Sequence, residues 1–196
     1  MASARAPLSG LLRLGVIPTL APYIMPWVLS LAAARMPKAP LLLVEDLTGH
    51  LVGPLADGAL DAIIIATDSG SDRFVEIDLF DEPFWLVTPA DHPLATANRL
   101  RASDIDPKTL LLLGDGNCLR DQTISLCSPH DAPEGAADVR AASIETLLHL
   151  TAANYGVSLV PRMAVTEWPS LAGRIHARPI EDESAHRRVR LVYRRD

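Results

Sequence analysis

Two thiols, Cys118 and Cys127, lie in the segment GDGNCLRDQTISLC, Gly114–Cys127, and the chain has no other cysteine. A thiolate attacks peroxides and disulfides and binds soft metals. The nine-position spacing suits neither a C-x-x-C redox pair nor a zinc pair. Two cysteines do not make a disulfide scaffold, and one reading buries both as small apolar groups. The local sequence supports a more reactive one. Asp115, Gly116 and Asn117 read as a turn, with Asn117 capping a helix that begins at Cys118. In the first turn of a helix, unpaired amides and the positive dipole end favour thiolate, and Arg120 would add positive charge. Cys127 falls at the other end, nine rises of ~1.5 Å away, or about 13–14 Å. A disulfide needs Cα atoms within about 4.4–6.8 Å. The pair cannot bond while the helix stands, so oxidation requires unwinding. Asp121, Thr123, Ile124 and Ser125 are middling helix formers, and Pro129 stops propagation, so the helix is short and marginal. A disulfide contributes about 2–4 kcal/mol, enough to overturn such a segment. Strain would keep the bond reducible by cellular thiols.

Other chemistries lack their signatures. GDGNCL fails G-x-G-x-x-G at Leu119 and has no P-loop lysine. G-x-S-x-G and H-E-x-x-H do not occur, and the six histidines are scattered, so no metal site and no cofactor are expected. A net charge of −6 excludes a chain devoted to nucleic-acid binding, which needs clustered Lys and Arg. The one basic run, HRRVRLVYRR, reads as a solvated edge strand with Val189, Leu191 and Tyr193 inward and arginines outward.

Around the thiol segment, strands and helices alternate. The uncharged run Leu14–Ala34 approaches the length of a membrane span or an exported leader. Pro18, Pro22 and Pro26 each remove a backbone donor, so the run reads as a strand at Leu11–Ile17, a turn at Pro18–Pro22 and a helix from about Pro22 to Arg35, kinked or starting late near Pro26. Strands are expected at 11–17, 41–45, 62–66, 74–79, 85–88, 110–113, 138–141, 157–161, 175–179 and 189–193. Helices are expected at 25–36, 50–57, 119–127, 144–153 and 162–168. Continuous apolar strands interleaved with helices indicate an α/β fold with parallel pairing. Ten strands are many for one sheet, which favours two lobes, 1–82 with 180–196 and 83–179. Ligands in such folds sit at the carboxyl ends of strands. The Pro- and Gly-rich stretch 128–136 reads as a mobile loop.

The motif CLRDQ followed by a second cysteine resembles the OxyR-like peroxide sensors among the LysR-type transcriptional regulators. LGVIPTLAPYIMP, LVEDLTGHLVGPLADGALDAIIIA, VEIDLFDEPFWLVTPADHPLA, AASIETLLHLTAANYGVSLVP and VRLVYR resemble the same regulatory domain, so the likeness runs from about Ser9 to Arg194. The stretch SIETLLHLTAANYGVSLVP is general to LysR-type effector domains, whereas CLRDQ with spaced cysteines is specific to OxyR-like ones. The resemblance implies two Rossmann-like lobes with a hinge, the periplasmic-binding-protein-like (type 2) fold. It implies Cys118 as the peroxide-reactive thiol and Cys127 as the resolving thiol. Thr19 and Thr48 would offer hydroxyls to peroxide, Arg120 and Asp121 would support the reduced packing, and Ser143 would cap a helix at the inter-lobe cleft. Asn117 stands where this family usually has histidine, which lowers the expected reactivity. The resemblance further implies a cytoplasmic regulator rather than an enzyme, and a homodimer, tetrameric when intact. DNA contacts would come from a winged helix-turn-helix outside these residues. The customary terminal helix is also missing after the last strand.

Three other functions compete. A LysR-type domain without redox chemistry would bind a small metabolite near Thr19, Thr48 and Ser143. A thiol peroxidase would turn over with a thioredoxin system. An exported solute-binding protein would need a leader.

Overall fold

The computed structural model describes residues 10–127, 140–165 and 168–195. In chain order the elements are β1 (Leu12–Val16), α1 (Ala21–Arg35), β2 (Leu41–Glu45), α2 (Thr48–Ala56), β3 (Ala62–Ile65), β4 (Phe74–Pro89), β5 (Leu112–Leu113), α3 (Cys118–Cys127), β6 (Arg140–Ala141), α4 (Ile144–Ala152), β7 (Ser158–Pro161), β8 (Ile175–Pro179) and β9 (His186–Arg194). The chain divides into two compact units, Met1–Leu79 with Val189–Asp196, and Phe80–Arg188. It passes between them within β4 and within β9.

In the first unit β1 lies between β2 and β3, parallel to both, with Leu12 opposite Leu41 and Leu14 opposite Ala62. The apolar side chains of Val16, Ile17, Leu20, Leu51, Leu55 and Ile63 form its core. Gly15 explains how α2 comes so close to β1. A Cβ there would sit 2.9 Å from both Leu51 and Leu60. α1 begins at Ala21, within a residue of the expected start at Pro22 and not late near Pro26. Pro22 falls at the start, where the N–H would have no helical partner. Pro26 lies inside and forfeits a single hydrogen bond.

β9 departs from the sequence expectation. It pairs antiparallel with β3, with Ile64 opposite Leu191, and β4 is its other neighbour, so it is not an edge strand. Its inward side chains are Arg187, Val189 and Val192, while Tyr193 is exposed. Alternation shifts by one between Val189 and Val192, and one arginine is among the most buried residues of the chain. The outward arginines sit opposite acids of β4: Arg190 meets Asp78 and Glu76, and Arg188 meets Asp81.

The second unit is less parallel than its apolar runs suggest. β4 is one continuous strand where two were expected, and it pairs antiparallel with β7 and with β8. Only β5 and β6, and an isolated bridge from Leu110 to Val157, are parallel here among the described residues. Of the segment expected as a helix over 162–168, the described residues hold a 3-10 turn, Arg162–Ala164. The expected loop 128–136 and the first half of the strand expected at 138–141 lie outside the described residues. Leu86, Leu100, Leu111, Leu113, Leu119, Leu147 and Val160 form this unit's core.

Gly156 precedes the Val157 bridge with φ 158°. A Cβ there would collide with the Thr109 carbonyl oxygen and lie 3.2 Å from Leu111. The substitution Gly156→Ala is therefore expected to cost more than about 2 kcal/mol, read as a lower urea midpoint with an unchanged denaturant slope.

Candidate functional site

The thiol helix is positioned by a short parallel pair. Leu112 and Leu113 of β5 lie opposite Arg140 and Ala141 of β6, and the Gly114 amide donates to the Ala141 carbonyl at 3.0 Å. The chain then turns over Gly114–Asn117, with Gly116 at φ 85°, a conformation that favours glycine. The Asn117 side-chain amide donates back to the Gly114 carbonyl at 3.1 Å. α3 starts at the next residue, Cys118, and runs without interruption to Cys127. Asp115 ties the turn to both neighbours. It lies 3.1 Å from Arg120 on α3 and also pairs with Arg140 on β6. After β6, extended Ser143 accepts the Thr146 amide at 3.2 Å and starts α4. Thus α3 and α4 both begin at the carboxyl ends of adjacent parallel strands.

Both thiols are free. Cys118 is partly exposed in the first turn of α3. Its ionisation runs opposite to expectation: burial pushes the thiol above its ordinary value and outweighs the nearby cation and backbone amides that pull it down. That cation is Arg187, not Arg120, whose guanidinium is engaged by Asp115. Asp121, exposed on α3, further opposes ionisation of Cys118. Cys127 is buried, and burial together with the Asp182 carboxylate pushes it up to about 12. The Asp182 carboxylate is itself held by the Ala102 amide at 2.7 Å.

Arg187 is the residue that sequence reasoning missed. Its Nη2 and Nε lie 2.8 and 2.9 Å from Glu82 Oε2, and neither side chain reaches solvent appreciably. The signal was present: extending the inward parity of Val189 two residues back selects Arg187.

The structure gathers Cys118, Asn117, Arg120, Asp121, Cys127 and Ser143 in the second unit and puts Thr19 and Thr48 in the first. Thr19 is buried in the turn after β1. Thr48 is the first residue of α2, and its Oγ1 is buried without a hydrogen-bond partner. These two hydroxyls follow β1 and β2, neighbouring parallel strands. Among the described residues, no group of three His, Cys, Asp or Glu side chains is arranged to hold a metal. No described helix is long and apolar enough to cross a membrane.

Residues 5–196 match the LysR substrate binding domain, and the chain belongs to that family. Its α/β architecture is the periplasmic-binding-protein-like type 2 fold. A probable hydrogen peroxide-inducible genes activator of Streptomyces viridosporus is 40% identical over 190 residues, which are 97% of this chain and 61% of that protein. The chain thus spans under two thirds of that relative's length. The reduced form of the OxyR regulatory domain from Pseudomonas aeruginosa superposes with a TM-score of 0.86 at 35% identity, over 96% of this chain and 91% of that one. A cysteine-to-serine variant of Corynebacterium glutamicum OxyR, with hydrogen peroxide bound, superposes with a TM-score of 0.85 at 38% identity, over 95% of this chain and 59% of that one.

Because burial holds Cys118 as thiol, its alkylation by iodoacetamide should accelerate steadily from pH 7 to pH 9, about tenfold per unit, without a plateau. Peptide-resolved mass spectrometry reads both thiols, and Cys127 should stay unmodified in the folded chain at pH 8. A plateau below pH 7 would show instead that the amides and Arg187 win over burial.

Proposed function

We propose that this chain is the peroxide-sensing regulatory domain of an OxyR-like LysR-type transcription regulator in the cytoplasm. The observation that carries the reading is two free thiols at opposite ends of one ten-residue helix. Cys118, the more accessible, attacks hydrogen peroxide. One oxygen is transferred to sulfur, giving a sulfenic acid, and water leaves with the thiol proton. α3 unwinds, Cys127 sulfur attacks the sulfenic sulfur, and a second water departs as the disulfide forms. Two electrons pass from two thiols to one peroxide. Thr48, whose hydroxyl lacks a partner, and Thr19 are hydroxyls of the first unit able to hydrogen-bond peroxide. Asn117, Arg120 and Asp121 hold the reduced turn and helix, and Ser143 fixes α4 beside them. The domain consumes its thiols once per event and acts as a sensor, not as a turnover enzyme. DNA is contacted by a separate domain of the intact protein.

One equivalent of peroxide should lower the intact mass by two hydrogens, located in a linked peptide pair containing Cys118 and Cys127. Cys118→Ser should abolish this loss, and Cys127→Ser should leave Cys118 as sulfenic acid or more oxidised. If both thiols still titrate after stoichiometric peroxide, the redox reading fails. The unpartnered Thr48 hydroxyl would then favour a metabolite-binding domain of the same family.

The signalling partner is a second copy of the chain, and the surface we assign to it is on the first unit. α1 shows Trp27 77% exposed, with Leu29 and Leu31 also exposed. β2, an edge strand, exposes Leu42 and Leu43. Apolar patches and open edges of this kind are normally covered. Leu31→Glu should convert a dimer to a monomer by light scattering with the fold retained. An unchanged mass would remove this face from the interface.

A further inference from the structure

Arginines along β9 meet carboxylates of β4 until the strand ends, where the pattern inverts. Arg188 pairs with Asp81, and Arg190 pairs with Asp78 and Glu76. Beyond them the Arg195 amide donates to the Arg73 carbonyl at 3.0 Å, so two basic residues stand side by side. Like charges on neighbouring strands repel. Among the described residues no carboxylate pairs with either side chain, although the chain carries a net charge of −6. Both side chains, together with Arg194, line a cavity of about 290 Å³ completed by Phe74 and Ala56. Phe74 is buried and makes an apolar wall. Arg194 is held in place, because its Nη1 donates to the Leu55 carbonyl at 2.7 Å and also to the Leu60 carbonyl.

We propose that this cavity binds a phosphate group, either inorganic phosphate or a small phosphomonoester. A guanidinium offers paired N–H donors that match phosphate oxygens, and an anion seated between Arg73 and Arg195 removes their repulsion. The cavity lies at the carboxyl end of α2, whose bare carbonyls would repel an anion. Those carbonyls are covered. The Asp57, Gly58 and Ala59 amides return to Gly53, Leu55 and Pro54, with Gly58 at φ 78°, and Arg194 covers Leu55 a second time. Asp61 lies 4.0 Å from Arg194 and equally far from Arg13, so its one charge is shared between them. Asp57 and Asp72, exposed beside cavity residues, do not line it. The volume falls at the lower edge of the about 300–1,000 Å³ typical of sites for organic ligands, which suits one phosphate with a short organic group. Arg73 and Arg195 are exposed and screened by salt, so binding is weak. The site belongs to the first unit and holds no thiol, so it stands apart from the redox reading.

The test is isothermal titration of the 196-residue chain with sodium phosphate, and separately with glycerol phosphate, at neutral pH and low salt. One site per chain is expected, with a Kd of about 1 mM. Arg73→Gln and Arg195→Gln should each weaken binding about tenfold, and the double variant should show no saturation. Both side chains are exposed, so these variants should keep the fold, read as an unchanged urea midpoint. Arg188→Gln removes a paired arginine from the same strand and should leave phosphate binding unmoved. Tighter binding of glycerol phosphate assigns the site to a phosphomonoester, and tighter binding of inorganic phosphate assigns it to the simple ion. The proposal is overturned if neither compound saturates, or if saturation survives in the double variant. It is overturned equally if Arg188→Gln weakens binding as much as either cavity variant, since that is diffuse attraction to a basic surface.

Discussion

Backbone geometry is the constraint on which the account depends. A continuous helix fixes the Cα atoms of Cys118 and Cys127 about 13–14 Å apart, and covalent chemistry allows at most about half of that. No side-chain rotation closes such a gap. The helix itself must yield, and its sequence makes that affordable. CLRDQTISLC contains no alanine, two residues branched at Cβ and a serine, so intrinsic propensity contributes little and packing holds the segment. That packing is limited to Leu119, Thr123 and Cys127, one residue per turn. Cys127 is thus also part of what anchors the helix, and in the proposed switch its withdrawal from the core would start the unwinding.

The environment of the two sulfurs follows from the same economy. Burial raises both thiols, and at Cys127 the like-signed Asp182 carboxylate adds to it. A raised thiol contributes to stability while it stays protonated. That contribution is complete below the unfolded thiol's ordinary value and fades as alkaline pH ionises the unfolded chain first. At neutral pH the reduced fold is therefore favoured by its cysteines. Around Cys118 the opposing pull comes from Arg187, whose partner Glu82 is anchored by the Met163 amide. A buried ion pair is weak evidence for added stability, since desolvation consumes much of its attraction.

How much of this was legible in the sequence depended on whether a signal was local. β2 at 41–45 and β8 at 175–179 have the expected bounds, because Pro40 and Glu45 punctuate an apolar run and Arg174 and Pro179 bracket a short alternating one. The thiol helix was legible for the same reason, bracketed by Gly116 and Pro129. α1 was legible from about Pro22, where a proline costs no helical partner, and the alternative of a late start near Pro26 fails because one interior proline forfeits a single hydrogen bond. β4 was split in two because DLFDEPFW interrupts the apolar pattern, yet its acids face the arginines of β9 across the sheet. That pairing spans more than a hundred residues and leaves no local trace. Arg187 was lost by the same logic: a single strand read as alternating gives no warning that an inward arginine has a carboxylate waiting. The ionisation of Cys118 was misjudged because spacing shows the helix terminus but not the depth of burial, and burial is the larger effect.

The most direct measurement is hydrogen exchange of the α3 amides before and after one equivalent of peroxide, with α4 as an internal reference. The account predicts that protection across 121–127 collapses on oxidation while Leu147–Ala152 keeps theirs, and that Cys127→Ser prevents the collapse. A disulfide between Cys118 and Cys127 formed with α3 protection intact would contradict it.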